Sequence, residues 1–320
     1  MNRRQFLVAS AAVSALAANS SEEKKPVFPV VDTHQHLWDL SKFRLPWQKN
    51  EPKLAKNHVV SDYLKATENL GDVDGKLAKI VKKVYMEVDV EPAQQSAEAE
   101  YVLDLCRRAD NPMVAAVVSG RPASDGFAKY LDAFKDNRYI KGVRQVLHGP
   151  ETPAGYCLDK KFIDGIRLLG KRHLSFDLCM RPGELLDAAK LIDACPETRF
   201  ILDHCGNGDV QAKDRSQWQK DIAEVAKRKN VVGKVSGIVV TAKPDHWNAD
   251  DLAPIVKHTL EVFGPDRVMF GGDWPVCTKT ATFRQWFQAL AAIVGDRSAE
   301  EKRKLFHDNA VRFYGLEKAE

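Results

Sequence analysis

Eight short β-branched runs, each followed by a stretch of helical periodicity, divide this chain and leave it few folds to adopt. The runs are Val30–His36, Lys83–Val88, Met113–Ser119, Ile140–Leu147, Leu174–Met180, Arg199–Cys205, Val231–Ser236 and Arg267–Asp273. Between them, apolar residues recur at three-to-four spacing, as in Phe162, Ile163, Ile166 and Leu169, in Leu185, Leu186, Ala189 and Ile192, and in Leu252, Ile255, Val256 and Leu260. That spacing predicts helices with one buried stripe. Strands alternating with helices imply parallel pairing, and eight such units predict a (β/α)₈ barrel rather than a doubly wound sheet. Pro182 and Pro254 are expected at helix starts, where a missing backbone donor costs nothing.

A barrel of this size accounts for residues 29–316 as one domain. The hydrophobic content of 44% and charged content of 29% suit a globular enzyme. A net charge of +4, without a long basic run, argues against nucleic acid as a partner. The connection at 37–79 is unusually long and carries Trp38, Phe43, Pro46, Trp47 and Pro52, then an expected helix from Ser61 to Leu70. At the C-terminal face of a barrel such an excursion forms a lid or pocket wall.

The first residues predict an address. Arg3-Arg4-Gln5-Phe6-Leu7 precedes a short alanine-rich apolar stretch, and Ala15-Leu16-Ala17 offers a small-x-small cleavage site. A twin arginine in that setting is the bacterial signal for exporting folded proteins, so residues 1–18 are expected to be a leader, 19–28 a linker, and the product periplasmic. The export machinery is then a partner, and no stretch is long enough to span a membrane. Six cysteines show no Cys-x-x-Cys spacing, which speaks against structural zinc and for buried free thiols.

Barrel chemistry sits at the C-terminal ends of strands. The polar residues there are His34 and His36, Glu87, Arg144 with His148 just beyond, Arg181, His204, Lys234 and Asp273. His34 and His36, two apart on a strand, share a face. In a closed barrel the first and last strands are neighbours, so Asp273 faces both imidazoles. Two imidazoles beside a carboxylate form a water-activating or metal-binding site, and buried charges converging from six or more strands argue for function. Arg144 either clamps an anionic substrate or pairs with an internal acid. Lys234 and Glu87 invite the same two readings, and Arg181 either contacts substrate or faces solvent. Asp203, directly before His204, and Asp32, shortly before His34, are expected to point away as structural partners.

Several motifs carry a resemblance: Val31-Asp-Thr-His-Gln-His-Leu-Trp38, Gly142-Val-Arg144, Phe176-Asp-Leu-Cys-Met-Arg-Pro182, Leu202-Asp-His-Cys-Gly206, Lys234-Val-Ser-Gly237, Met269-Phe-Gly-Gly-Asp-Trp-Pro-Val276, and Asn309-Ala310 with Phe313-Tyr-Gly-Leu316. In order and spacing, from about Pro29 to Leu316, they resemble the amidohydrolase superfamily. Within it they are similar to the lactonase branch that contains L-fuconolactonase, other sugar-acid lactonases and the pyrone-dicarboxylate lactonase. The resemblance implies a distorted (β/α)₈ barrel that hydrolyses a small lactone. It places the reactive aspartate on Asp273, the histidines on His34, His36 and His204, and the anion-binding arginine on Arg144. It also implies either no cofactor or one divalent ion, zinc or manganese, held by His34, His36, His204 and Asp273. Glu87 departs from the glutamine that fuconolactonase-like sequences carry. Two other readings follow from the same residues: a mononuclear zinc amidohydrolase or decarboxylase, and a non-catalytic periplasmic sugar-acid binding protein.

Overall fold

A computed structural model describes residues 25–316. The expected leader therefore lies outside the described residues, as does the linker up to residue 24. Eight parallel strands follow in sequence order: β1 (Val27–Gln35), β2 (Lys76–Met86), β3 (Met113–Ser119), β4 (Ile140–Val146), β5 (Ser175–Cys179), β6 (Arg199–Leu202), β7 (Val231–Val235) and β8 (Val268–Phe270). Helices alternate with them, giving the expected barrel. Strand β1 starts ahead of the expected Val30, inside the segment read as linker. Strand β2 is longer than expected because its first residues pair with the two-residue strand Asp72–Val73. Strands β6 and β8 end early, since the chain turns sharply where the polar residues begin.

Packing follows the two periodicities. Inward side chains of β1, β2, β3 and β8 (Val31, Val84, Met86, Ala115, Val117, Met269) cluster with Tyr314 and Leu316 from the last helical segment. Outward side chains meet the helices, where Phe162, Ile166 and Leu169 are fully buried on Lys160–Lys171. Each such burial is worth roughly 1.5–3 kcal/mol, which is what holds a helix against the strands. Pro254 lies inside Ala249–Phe263 rather than at its start, because the helix begins earlier, where the Asn248 side chain accepts from the Asp250 N–H. No described helix is long and apolar enough to cross a membrane.

The seam between β1 and β8 has no regular ladder. It is closed beyond the end of β8 by Asp273 N–H donating to His34 O (2.7 Å) and His36 N–H donating to Trp274 O (2.8 Å). The two strand ends that carry the candidate chemistry are thus stitched to each other. The long connection packs over them as a wall: Trp38, His58 and Trp274 form an edge-to-face stack, and Trp47 donates to Val88 O. Its helix is shorter than expected, Val60–Ala66.

Candidate active site

Asp273 is nearly closed to solvent and has a left-handed backbone (φ 53°), a conformation that costs a non-glycine residue free energy. Asp32 supports this turn from behind. Its Oδ1 accepts the N–H groups of Gly272 (2.7 Å) and His34 (3.0 Å), and its Oδ2 accepts the Tyr63 hydroxyl (2.8 Å). A Cβ on Gly272 would lie 2.1 Å from a Phe283 ring carbon, so only glycine fits there. Burial raises the Asp32 carboxyl to about 6, against the lowering effect of those bonds.

The two imidazoles of β1 meet Asp273 as the sequence suggests. His36 Nε2 is 3.4 Å and His34 Nε2 3.7 Å from Asp273 Oδ1. His36 Nδ1 lies 3.0 Å from both Met86 O and Glu87 O. A carbonyl can only accept, so Nδ1 carries a proton and, in the neutral ring, Nε2 turns its lone pair toward Asp273. His34 Nδ1 lies 3.4 Å from both Asp203 Oδ1 and Lys234 Nζ, and its Nε2 stands 3.4 Å from Arg144 Nη1. Burial holds the His34 imidazolium well below the usual value, so the ring is neutral at neutral pH.

Beneath His34 runs a buried charge stack. The Lys234 ammonium sits 2.7 Å from Asp177 Oδ2 and 2.9 Å from Asp203 Oδ1. Burial works against this ammonium, yet the two carboxylates keep it protonated. The acids divide. Burial pushes Asp177 up to about 7, whereas Asp203, although equally buried, is held well below the usual range by Lys234 and His34. Arg144 Nε donates to Glu87 Oε1 (2.6 Å) and Nη2 to Glu87 O (2.8 Å), with Nη1 3.6 Å from Asp203.

His204 reaches the centre by an unexpected route. It opens a turn, His204–Asn207, in which every residue has positive φ. The left-handed backbone swings the imidazole inward, with Nδ1 2.9 Å from Ser236 Oγ. Gly237 makes room, since a Cβ there would stand 2.2 Å from His204 Nδ1. Trp218 Nε1 donating to Cys205 O and Asn207 Nδ2 donating to Met180 O hold the strained turn. Ligand atoms of His34, His204 and Asp273 lie within 4.8 Å of one another.

Comparison with known proteins finds that the amidohydrolase family profile matches residues 31–316. The chain belongs to the amidohydrolase family. It is an enzyme of that family, a hydrolase. It is similar to L-fucono-1,5-lactonase of Burkholderia multivorans, with 24% identity over 300 residues covering 89% of this chain and 96% of that one. It is also similar to L-rhamnono-gamma-lactonase of Scheffersomyces stipitis, with 23% identity over 344 residues covering 90% and 99%. In structure it resembles an amidohydrolase from Burkholderia multivorans with bound zinc, at 22% identity and a TM-score of 0.77, covering 91% of this chain and 100% of that one.

Several expectations about this amidohydrolase need correction. Glu87 and Lys234, each read as a substrate contact or an ion-pair partner, are closed to solvent and engaged in internal ion pairs. Of the two readings of Arg144, the structure shows the internal acid, Glu87. Arg181, two residues beyond the end of β5, ties down its own loop through Glu184 (2.9 Å), Gly149 O and Thr152 O. Asp203 points inward rather than away, because the left-handed turn lets consecutive residues 203 and 204 both face the barrel axis. Asp177 was missed. A charged residue between Phe176 and Leu178 in an apolar strand was the available signal, with Lys234 its counterpart on β7. All six cysteines are buried and free, and Cys179 Sγ lies 3.3 Å from His148 Nδ1.

Proposed function

We propose that this amidohydrolase opens a small lactone of a sugar acid or dicarboxylic acid, with Asp273 as the general base. One observation carries the reading: His36 Nε2 and His34 Nε2 lie 3.4 and 3.7 Å from Asp273 Oδ1, close enough for the three to share one water, while Arg144 Nη1 stands 3.4 Å from His34 Nε2. A water placed between them bridges the carboxylate and an imidazole acceptor such as His36 Nε2. A water supplies two hydrogens, one for Asp273 and one for an imidazole, and a water so held is oriented for attack on a carbonyl carbon. Asp273 takes its proton as the C–O bond forms, and the proton passes to the alkoxide leaving oxygen as the ring opens. Such a base contributes roughly 10²–10⁴ in rate. The Nη1 of Arg144 and the N–H of His204, whose ring burial keeps toward its neutral form, are donors for the developing oxyanion, and a donor so placed is worth ~3–4 kcal/mol. The two lactonase relatives support the substrate class.

The donor set also fits one divalent ion. Imidazoles and a carboxylate suit zinc or manganese. Among the described residues, four buried acids (Glu87, Asp177, Asp203, Asp273), of which burial draws Asp177 toward its neutral form, meet two permanent cations, Arg144 and Lys234, so extra positive charge is compatible with the site. His34, His204 and Asp273 would hold the ion, with His36 beside them, and when bound it would polarise the carbonyl and lower the pKa of a water. The test is a pH-indicator screen over aldonolactones and pyrone-type lactones, with and without Zn²⁺ or Mn²⁺. Ring opening lost in Asp273→Asn supports the reading. Binding of sugar acids without turnover of any lactone would replace it with the non-catalytic reading.

A further inference from the structure

We infer that the N-terminal mouth of the barrel, opposite the reactive centre, is a binding site for an organic polyanion with an apolar body. A cavity of about 710 Å³ opens there, between the starts of β4, β5 and β6 and the end of the chain's last helix. That is within the range of small-molecule sites. Its wall carries seven lysine and arginine side chains against two aspartates, Asp132 and Asp136. Among the described residues only one of the seven has a carboxylate in ion-pair reach, Arg172 with Asp132 at 2.7 Å. Unneutralised cations around one concavity focus a positive potential in it, which an anion relieves.

Two details sharpen the ligand's chemistry. Lys141, half-buried at the start of β4, has its ammonium held below the usual lysine value by burial and then by the Arg199 guanidinium. It feels the surplus charge directly. Between the cations the wall is apolar, formed by Leu131, Phe134, Ile140 and Leu174. An inorganic anion satisfies the cations but leaves that apolar surface in water, whereas an aryl or alkyl phosphate covers both. The cavity floor includes Tyr314, which packs inside the barrel against Val31, Val84 and Met86. The Tyr314 hydroxyl lies in the field of Asp177 and Lys234, the base of the stack under His34. A ligand on this floor therefore rests against the far end of the catalytic charge stack.

The test is calorimetric titration of the full chain with 2-naphthyl phosphate, inorganic phosphate and 2-naphthol. Naphthyl phosphate should bind below about 1 mM and at least about tenfold more tightly than either part alone, a difference of one charge-assisted contact or one buried ring. Lys141→Gln with Lys171→Glu should weaken it about tenfold or more, and exposed Lys171→Glu alone should weaken it measurably if the double variant does not fold. Asp273→Asn should leave it unchanged, which separates this site from the reactive centre. No binding at about 5 mM, equal binding of phosphate alone, loss of binding in Asp273→Asn, or full affinity in the Lys171→Glu variant would each overturn the proposal.

Discussion

His36 Nε2 stands 3.4 Å from Asp273 Oδ1 across the seam between the first and last barrel strands. Both residues are held from behind. The His36 ring is fixed by two backbone carbonyls of β2 and its continuation, and Asp273 by the turn that Asp32 anchors. The pair therefore meets through backbone geometry, without flexible side-chain reach. Pre-organisation of this kind is what lets a carboxylate act on a water at once, with no reordering in the transition state.

Asp273→Asn keeps the size of the side chain and its capacity to accept one hydrogen bond, but removes its basicity. We expect near wild-type thermal stability, KM within a few-fold, and a kcat at least ~10³ lower, the loss of a base. Steady-state kinetics on the lactone found by the screen decide it. A kcat above a tenth of wild type would leave a histidine as the base.

Arg144→Met should act on stability first. It strands the fully buried Glu87 carboxylate, and breaking a buried pair costs ~3–5 kcal/mol. Removing both charges in Glu87→Met/Arg144→Met should recover most of that loss in urea denaturation. If Arg144→Met instead unfolds at the wild-type urea concentration while KM rises about 100-fold, which matches losing a ~2–3 kcal/mol charge-assisted bond, the arginine is a substrate clamp.

Asp32 should give stability a pH dependence. Its carboxyl is pushed up to about 6 in the fold by burial, against about 3.9 in the unfolded chain. Between those values the native state binds the extra proton, so unfolding free energy falls as pH rises and levels off above about 6. Asp32→Asn lacks this term. From pH 5 to 7.5 wild type should lose about 1.4 kcal/mol relative to the variant, the equivalent of about one pKa unit. Parallel curves for the two proteins would show that Asp32 stays ionised throughout.

The barrel and the adjacency of the ends of β1 and β8 were legible because strand periodicity fixes the elements and closure makes the first and last of them neighbours. His34 lies in β1 and His36 one residue past it, where alternation still holds, whereas Asp273 lies three residues past β8 on a left-handed turn and is placed by closure alone. What was illegible depended on backbone that leaves the pattern. The left-handed turn at His204–Asn207 overturned the alternation used to point Asp203 outward, and although Gly206 and Asn207 each tolerate positive φ, nothing in the sequence fixes four left-handed residues in a row. Partner choice was also hidden. Arg144, Glu87, Lys234 and Asp177 were each visible as costly buried charges or could have been, but which ones neutralise each other depends on strand register, which the sequence leaves open.

The leader proposal has a direct test. Replacing Arg3 and Arg4 by lysine should leave precursor in the cytoplasm, since the twin arginine is the feature read by the folded-protein pathway. Fractionation and immunoblotting show where the protein accumulates. Undiminished export of the variant would assign the leader to another route.

Divalent-ion binding should appear as stabilisation, separately from activity. A ligand that binds only the folded state adds RT ln(1 + [L]/Kd), roughly 2.7 kcal/mol at 100 times Kd. His34, His204 and Asp273 offer ligand atoms within 4.8 Å, two of them nitrogen. Zn²⁺ should therefore raise the thermal midpoint of wild type, and the increment should vanish in His204→Asn and in Asp273→Asn. Those variants each remove or weaken one ligand while keeping similar volume. The same increment in all three proteins would place the ion elsewhere. The absence of any increment in wild type, together with full lactone turnover in chelator, would leave the water to Asp273 and the two β1 imidazoles alone.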